Sequence, residues 1–234
     1  MTRQIVLDTE TTGLNAKLGD RVIEIGCLEL LNRRPTGNHF HHYLNPERAS
    51  EQGAVKVHGI SDEFLLDKPR FREIAAEFIE YIRDAELIIH NAPFDVEFLD
   101  SELERAGLGR LSSHCAGIVD TLAMARELHP GKKNNLNALC ERYAVDNSRR
   151  AVHGALLDAS LLSEVYLAMT RGQDSLMMEP EEPVAVAGVA AFDASKLVVL
   201  RATPAEIAEH EKVLEAIDKA SEGGSVWRRL ATRG

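Results

Sequence analysis

The alternation of apolar and polar positions changes period along this chain. Residues 3–8 (RQIVLD) form a short apolar run that reads as a buried strand, followed by a polar turn rich in Thr, Gly and Asn. Residues 21–31 (RVIEIGCLELL) alternate well enough for a second strand, 33–38 (RRPTGN) read as a turn, and 39–44 read as a third strand, so the chain opens as an antiparallel meander. The period then becomes helical: Phe71, Ile74, Ala75, Phe78 and Ile82 recur at the spacing of one helix face. A short buried strand over 86–90 (ELIIH), an amphipathic helix over 94–106 and a brief strand over 117–120 follow. Helices are expected over about 120–129, 134–144 and 154–171. Strands first, then alternating strand and helix, predict an α/β fold with a mixed sheet flanked by helices. No G-x-G-x-x-G follows the first strand, so a dinucleotide-binding fold finds no support.

Composition shifts near Gly172, which sets the expected domain organisation: a domain over 1–172, a linker over 173–195 and a terminal segment over 196–234. The linker carries EPEEP and then small residues (VAVAGVAAF), a composition too polar and too rich in Ala, Gly and Pro to pack by itself. Residues 196–200 are strand-like. Thr203, Pro204 and Glu206 form a helix start, with Thr203 as N-cap, and that helix is expected to reach about residue 220. Trp227, the only tryptophan, lies in a tail too short to bury it, which points to a segment that folds against a partner, a disordered end being the alternative.

The chain has 234 residues, 44% of them hydrophobic, and no apolar run near the roughly 18 residues of a membrane span. The N-terminus enters a strand pattern at once and lacks the regions of a signal peptide, so cytoplasmic residence is expected. Cys27, Cys115 and Cys140 show no C-x-x-C spacing and read as reduced, buried thiols. The net charge of −10 is awkward for nucleic-acid capture, which draws on Lys and Arg at phosphates. Either the substrate is not nucleic acid, or metal ions and a partner protein compensate.

Four acids stand out. Asp8 and Glu10 end the first strand two residues apart, hence on one side of it; they repel unless a cation lies between them, although ordinary loop acids capped by Thr9, Thr11 and Thr12 are the alternative. Asp95 opens a helix and shares a face with Phe98, Leu99 and Ala106. The helix dipole accounts for an acid there, but facing the core calls for a partner. Asp158 aligns with Leu161, Leu162 and Val165 on an apolar stripe, where an unpaired carboxylate costs several kcal/mol. A basic group or a metal should therefore lie near it; Lys and Arg are absent from the immediate neighbourhood of the four acids, although distant residues could fold over them. His153 belongs to the loop before the last helix; a lone His is usually a surface or satisfied core residue, but an imidazole beside a metal-bound water suits proton transfer. Carboxylates without thiolates suit hard cations, Mg2+ or Mn2+, and two such ions about 3.5–4 Å apart can drive a phosphodiester displacement. Asp120, between strand and helix, reads as an N-cap, and His39, His41 and His42 as a solvated strand.

The ordered set Asp8, Glu10, Asp95, His153 and Asp158, with its neighbours IVLDTETTGL, KVHGIS, HNAPFD and VHGALLDA, resembles the DnaQ-like exonucleases of the DEDDh type over residues 1–170. The resemblance implies a ribonuclease H-like fold and 3′→5′ exonuclease chemistry with two divalent ions. Asp8, Glu10 and Asp158 would hold the catalytic ion, Asp8 bridging to a second that Asp95 supports, and His153 would be the general base. Thr9, Thr11, His58, His90 and Phe94 match positions that hold the terminal nucleotide; His58 and His90 fit a structural role as well. The terminal stretches ASKLVVLRATPAEIAEHE and GGSVWRRL are similar to the segment by which proofreading members dock on the alpha subunit of bacterial DNA polymerase III. Gln173, Leu176, Met177 and Met178 lie in a hexamer similar to the motif that binds the beta sliding clamp, with Met in place of the usual terminal aromatic. A small theta-like accessory subunit is a further partner such an assembly allows. The implied substrate is a frayed DNA 3′ end in a replisome. An RNA-trimming exonuclease and a non-catalytic tether between polymerase and clamp are the competing readings.

Overall fold

A computed structural model describes residues 2–148, 150, 152–171 and 202–220. The chain divides into two compact units, Met1–Glu179 and Pro180–Gly234.

The first unit is built on a five-stranded sheet in the order β3-β2-β1-β4-β5. The strands are β1 (Arg3–Thr11), β2 (Val22–Leu31), β3 (Arg34–Tyr43), β4 (Glu86–Ile89) and β5 (Gly117–Asp120). β1–β2 and β2–β3 are antiparallel, while β1–β4 and β4–β5 are parallel. This is the mixed α/β sheet that the strand and helix periods predict. Residues Ile5 to Leu7 of the central strand are wholly buried, as an apolar run covered on both faces must be.

The hairpin between β2 and β3 departs from the sequence reading. Residues 33–38 were expected to form a turn, but the turn is Asn32-Arg33, both with positive φ (48° and 62°). Two left-handed residues match the twist of the flanking strands, so β3 resumes at Arg34. Pro35 is tolerated because β3 is an edge strand.

Period two along β1 sends Ile5 and Leu7 to one face and Val6 to the other. The first face packs on α3 (Phe71–Ile82) and α4 (Ala92–Arg105) around Phe78, Phe98 and Leu99. The second packs on α5 (Thr121–Leu128), α6 (Leu136–Tyr143) and α7 (Ala155–Met169) around Leu139, Leu162 and Val165. Two short helices, α1 (Gln52–His58) and α2 (Asp62–Leu65), fill a stretch that the sequence periods left unassigned. Cys27 and Cys140 are buried, Cys115 is half-buried, and all three are free thiols.

In the second unit, residues 202–220 are described. α8 (Pro204–Ala220) begins at the expected capping box: the Glu206 carboxylate accepts the Thr203 N–H at 2.7 Å, and the Glu206 N–H reaches back to Thr203 Oγ1 at 3.3 Å. The linker, the clamp-motif residues, the strand-like 196–200 and Trp227 lie outside the described residues. Among the described residues no helix is long and apolar enough to cross a membrane.

Candidate active site

An open cleft of about 880 Å³ lies where the carboxyl ends of β1 and β4 meet the loops that follow them, the place where open α/β sheets take ligands. Asp8, Thr9, Glu10, Thr11, His58, His90, Phe94, Asp95, His153 and Asp158 all line it. The structure thus brings together every site residue singled out in the first 172 positions.

Asp8 and Glu10 share the face of β1 that looks toward α7, since residues two apart point the same way. Across the ladder Asp8 pairs with Gly26 and Glu10 with Glu24. A Cβ on Gly26 would collide with the backbone of Ala155 and Leu156. The missing side chain lets the first turn of α7 rest directly on β2. Asp158, one turn along that helix and only 2% exposed, is thereby set over the same face as Asp8 and Glu10.

Asp95 arrives from the other side. α4 leaves β4 through Asn91, which is left-handed (φ 67°), and the Asn91 N–H donates to Asp120 Oδ1 at 3.1 Å. Asp120 also caps α5 by accepting the Leu122 N–H, the N-cap role its position predicts. The partner that buried Asp95 calls for is Thr9: its backbone N–H (3.1 Å) and its hydroxyl (2.7 Å) both donate to Asp95 Oδ1.

His153 stands in the loop ahead of α7, as expected, and its N–H donates to the Val57 carbonyl of α1 at 3.1 Å. His58, at the end of α1, accepts the Ile60 N–H on Nδ1. Its proton therefore sits on Nε2, which is buried with no hydrogen-bond partner among the described residues. His90 is held by Thr121 Oγ1 at 3.0 Å. The Thr11 hydroxyl donates to the Gly13 carbonyl and the Thr12 hydroxyl to Asp20, so both serve to shape the turn after β1.

Sequence reasoning missed Arg150. A basic group or a metal was expected near Asp158 without being identified, and it is Arg150, eight residues ahead, that folds over it. Its Nε and Nη2 lie 2.5 Å from the two Asp158 oxygens. The only signal was physical: a carboxylate on an apolar stripe demands a cation. Arg126, Lys132, Asn134, Asn135 and Asn137 also line the cleft without having been singled out. They give one wall a polar and basic character that the net charge conceals.

Burial and crowding govern the acids. Burial, then the charges of Asp95, Asp158 and Glu10, hold the Asp8 carboxyl well above its ordinary range. Burial, then Asp158 and Glu24, push Glu10 up to about 8. Burial raises Asp95 to about 7 against the hydrogen bonds from Thr9. Burial also acts upward on Asp158, but its contacts with His153 and Arg150 outweigh that and leave it below the ordinary value. Three carboxyls that resist ionising in one cleft form a site that a divalent cation would relieve. Ligand atoms of Glu10, His153 and Asp158 all lie within 4.8 Å of one another, so the donor set fits such an ion.

His39, His41 and His42 lie on edge strand β3, away from this cleft; His41 Nε2 sits 2.8 Å from Glu24 Oε1 and His42 Nε2 3.8 Å from Glu77.

Residues 5–166 match the family described as Exonuclease. The chain is 52% identical to the DNA polymerase III subunit epsilon of Escherichia coli, over 97% of this chain and 98% of that one. It is 49% identical to the same-named subunit of Pasteurella multocida, over 98% and 95%. Among solved structures, exonuclease X in complex with 5′ overhanging duplex DNA superposes with TM-score 0.58 at 22% identity, covering 73% of this chain and 93% of that one. E. coli exonuclease I with a dT13 oligonucleotide gives TM-score 0.66 at 18% identity, covering 75% and 42%; at these identities the likeness concerns the fold. The chain belongs to the exonuclease family and, within it, to the DNA polymerase III epsilon subunits.

Proposed function

We propose that this protein is a metal-dependent 3′→5′ exonuclease that proofreads DNA replication, removing mispaired 3′-terminal nucleotides as 5′-mononucleotides within DNA polymerase III. The observation that carries this reading is the crowding of Asp8, Glu10, Asp95 and Asp158, with His153, in one cleft of a chain about half identical to epsilon subunits over nearly its whole length.

In this reading Asp8, Glu10 and Asp158 hold one divalent ion, and Asp8 shares a second with Asp95; Mg2+ or Mn2+ suits the oxygen donors. When bound, the ions supply charge stabilisation at the attacking and leaving oxygens of the phosphodiester displacement. Thr9 orients Asp95 through its two hydrogen bonds. His153 takes the proton of the attacking water once a ring nitrogen is free to accept it. Thr11, His58, His90 and Phe94 form the wall against the terminal nucleotide. The unpartnered Nε2–H of His58 is suited to donate to it, and the half-buried Phe94 ring to stack on its base. A mismatched end is unpaired at lower cost, so part of the selectivity comes from the substrate.

Residues 196–234 dock on the alpha subunit and Gln173, Leu176, Met177 and Met178 on the beta clamp, and a theta-like subunit is a further candidate partner. Through these contacts a chain of charge −10 reaches DNA that a polymerase already holds. The setting is the cytoplasmic replisome. The deciding assay follows 3′ release from mismatched DNA, matched DNA and RNA. Proofreading predicts the fastest release from the mismatched end; preference for RNA would favour a trimming ribonuclease.

A further inference from the structure

Arg150 engages four partner atoms at once. Nε and Nη2 hold the two oxygens of Asp158 at 2.5 Å each, Nη1 donates to Asn137 Oδ1 at 2.6 Å, and Nη2 lies 2.9 Å from His153 Nδ1. The Arg150 and Asp158 side chains are 7% and 3% exposed, so this is a desolvated, two-pronged ion pair.

Two consequences follow from the chemistry of the groups. Asp158 belongs to the set of ligand atoms that could hold a metal ion, together with Glu10 and His153. A guanidinium gripping both of its oxygens and a divalent cation must contend for the same place, and like charges so close repel. Moreover, His153 Nδ1 lies 2.9 Å from Arg150 Nη2 and 3.3 Å from Asp158 Oδ2, so it either accepts from the guanidinium or donates to the carboxylate. In either arrangement Nδ1 is held within the Arg150–Asp158 pair and is not free to act on water.

We propose that Arg150 is a resident stand-in cation, which occupies Asp158 and ties up His153 in the metal-free protein and is displaced when a divalent ion takes Asp158. Metal loading and release of the base are then one event: the ion that completes the site also frees His153 Nδ1. The inference rests on reading Asp158 as a metal ligand. An ion pair that served folding alone would leave metal affinity unchanged or lower it on removal. A stand-in cation raises it.

Calorimetric titration of Mn2+ into the full chain, with R150K and R150Q alongside, separates these outcomes. R150Q should bind Mn2+ about tenfold more tightly than the wild type, the scale of a lost charged hydrogen bond. R150K, which keeps the charge but not the fork, should fall between them. Imidazole 15N NMR of the wild type should show His153 Nδ1 hydrogen-bonded without metal, and a changed Nδ1 environment on saturation with Mg2+. Equal or weaker Mn2+ binding by both variants overturns the proposal, as does a His153 signal indifferent to Mg2+ in a chain that binds it. If the wild type itself takes up neither ion, the metal reading of the cleft fails and the proposal with it.

Discussion

Asp8 and Gly26 face each other across β1 and β2, and the first turn of α7 rests on the sheet at Gly26. The position of Asp158 over Asp8 therefore depends on the absence of a side chain two elements away. Gly26→Ala should destabilise the protein by about 1–3 kcal/mol through overpacking against Ala155 and Leu156. Because the helix must lift, nuclease activity should fall further than the loss of folded protein explains. Urea denaturation together with turnover per folded molecule checks both.

Thr9 donates twice to Asp95 Oδ1, once from the backbone and once from the hydroxyl. Thr9→Val keeps the shape and the backbone bond but deletes the hydroxyl. Turnover should drop roughly tenfold, the value of one hydrogen bond to a charged group, and Thr9→Ser should restore most of it. Steady-state release of the 3′ nucleotide from single-stranded DNA measures the effect.

Glu10 is raised to about 8 and Asp95 to about 7, and Asp8 is raised as well. Between the ordinary carboxyl range and these values the folded chain holds protons that the unfolded chain has released. Stability contributed by these groups is present at low pH and is lost as pH rises through 7 to 8. Metal-free protein in chelator should thus melt at lower temperature at pH 8.5 than at pH 7. His58 and His90, lowered by burial, affect the range below about 6.5 instead. Saturating Mg2+ should flatten or reverse the trend, because carboxylates bind the ion only when ionised. Scanning calorimetry at the two pH values, with and without Mg2+, provides the check.

The proposed docking of residues 196–234 on the polymerase includes α8, the described part of that segment. Ile207, Val213 and Ile217 on that helix are exposed apolar residues, of the kind a partner covers. Deleting 196–234 should leave release of nucleotides from short single strands within about twofold of the full chain, since surface changes away from the site have small effects. It should abolish co-elution with the alpha subunit in gel filtration. Retained co-elution would assign the docking surface elsewhere.

Much of this arrangement is readable from sequence because strong periods coincide with strong chemistry. The helix over Phe71–Ile82 declares itself through five apolar residues that prove buried, and Asp158 through its place on the stripe of Leu161, Leu162 and Val165. Where the period is weak, the reading fails. α1 and α2 are seven and four residues long, too short to show a face. β3 carries Arg34, Pro35 and Gly37 in a strand that lies at the sheet edge, so it resembles a turn. Arg150 is hidden for another reason: it reaches Asp158 through a loop, and no spacing rule relates residues joined by a loop. The demand for a cation was legible in the burial of Asp158, but the identity of the donor was not.

Ionised carboxylates in this cleft are proposed to hold divalent ions that cleave a DNA 3′ end. The most direct measurement follows nucleotide release from a 5′-labelled mismatched primer by the wild type and by Asp8→Asn, each with Mg2+ and with chelator. Asp8 repels Asp95, Asp158 and Glu10 across the cleft, and Asn removes its charge while keeping its shape. The wild type should release 5′-mononucleotides only with Mg2+. Asp8→Asn should fall at least about a hundredfold with Mg2+, the scale of the charge stabilisation that a bound ion supplies. Cleavage by the wild type in chelator, or near-normal cleavage by Asp8→Asn, would contradict the account.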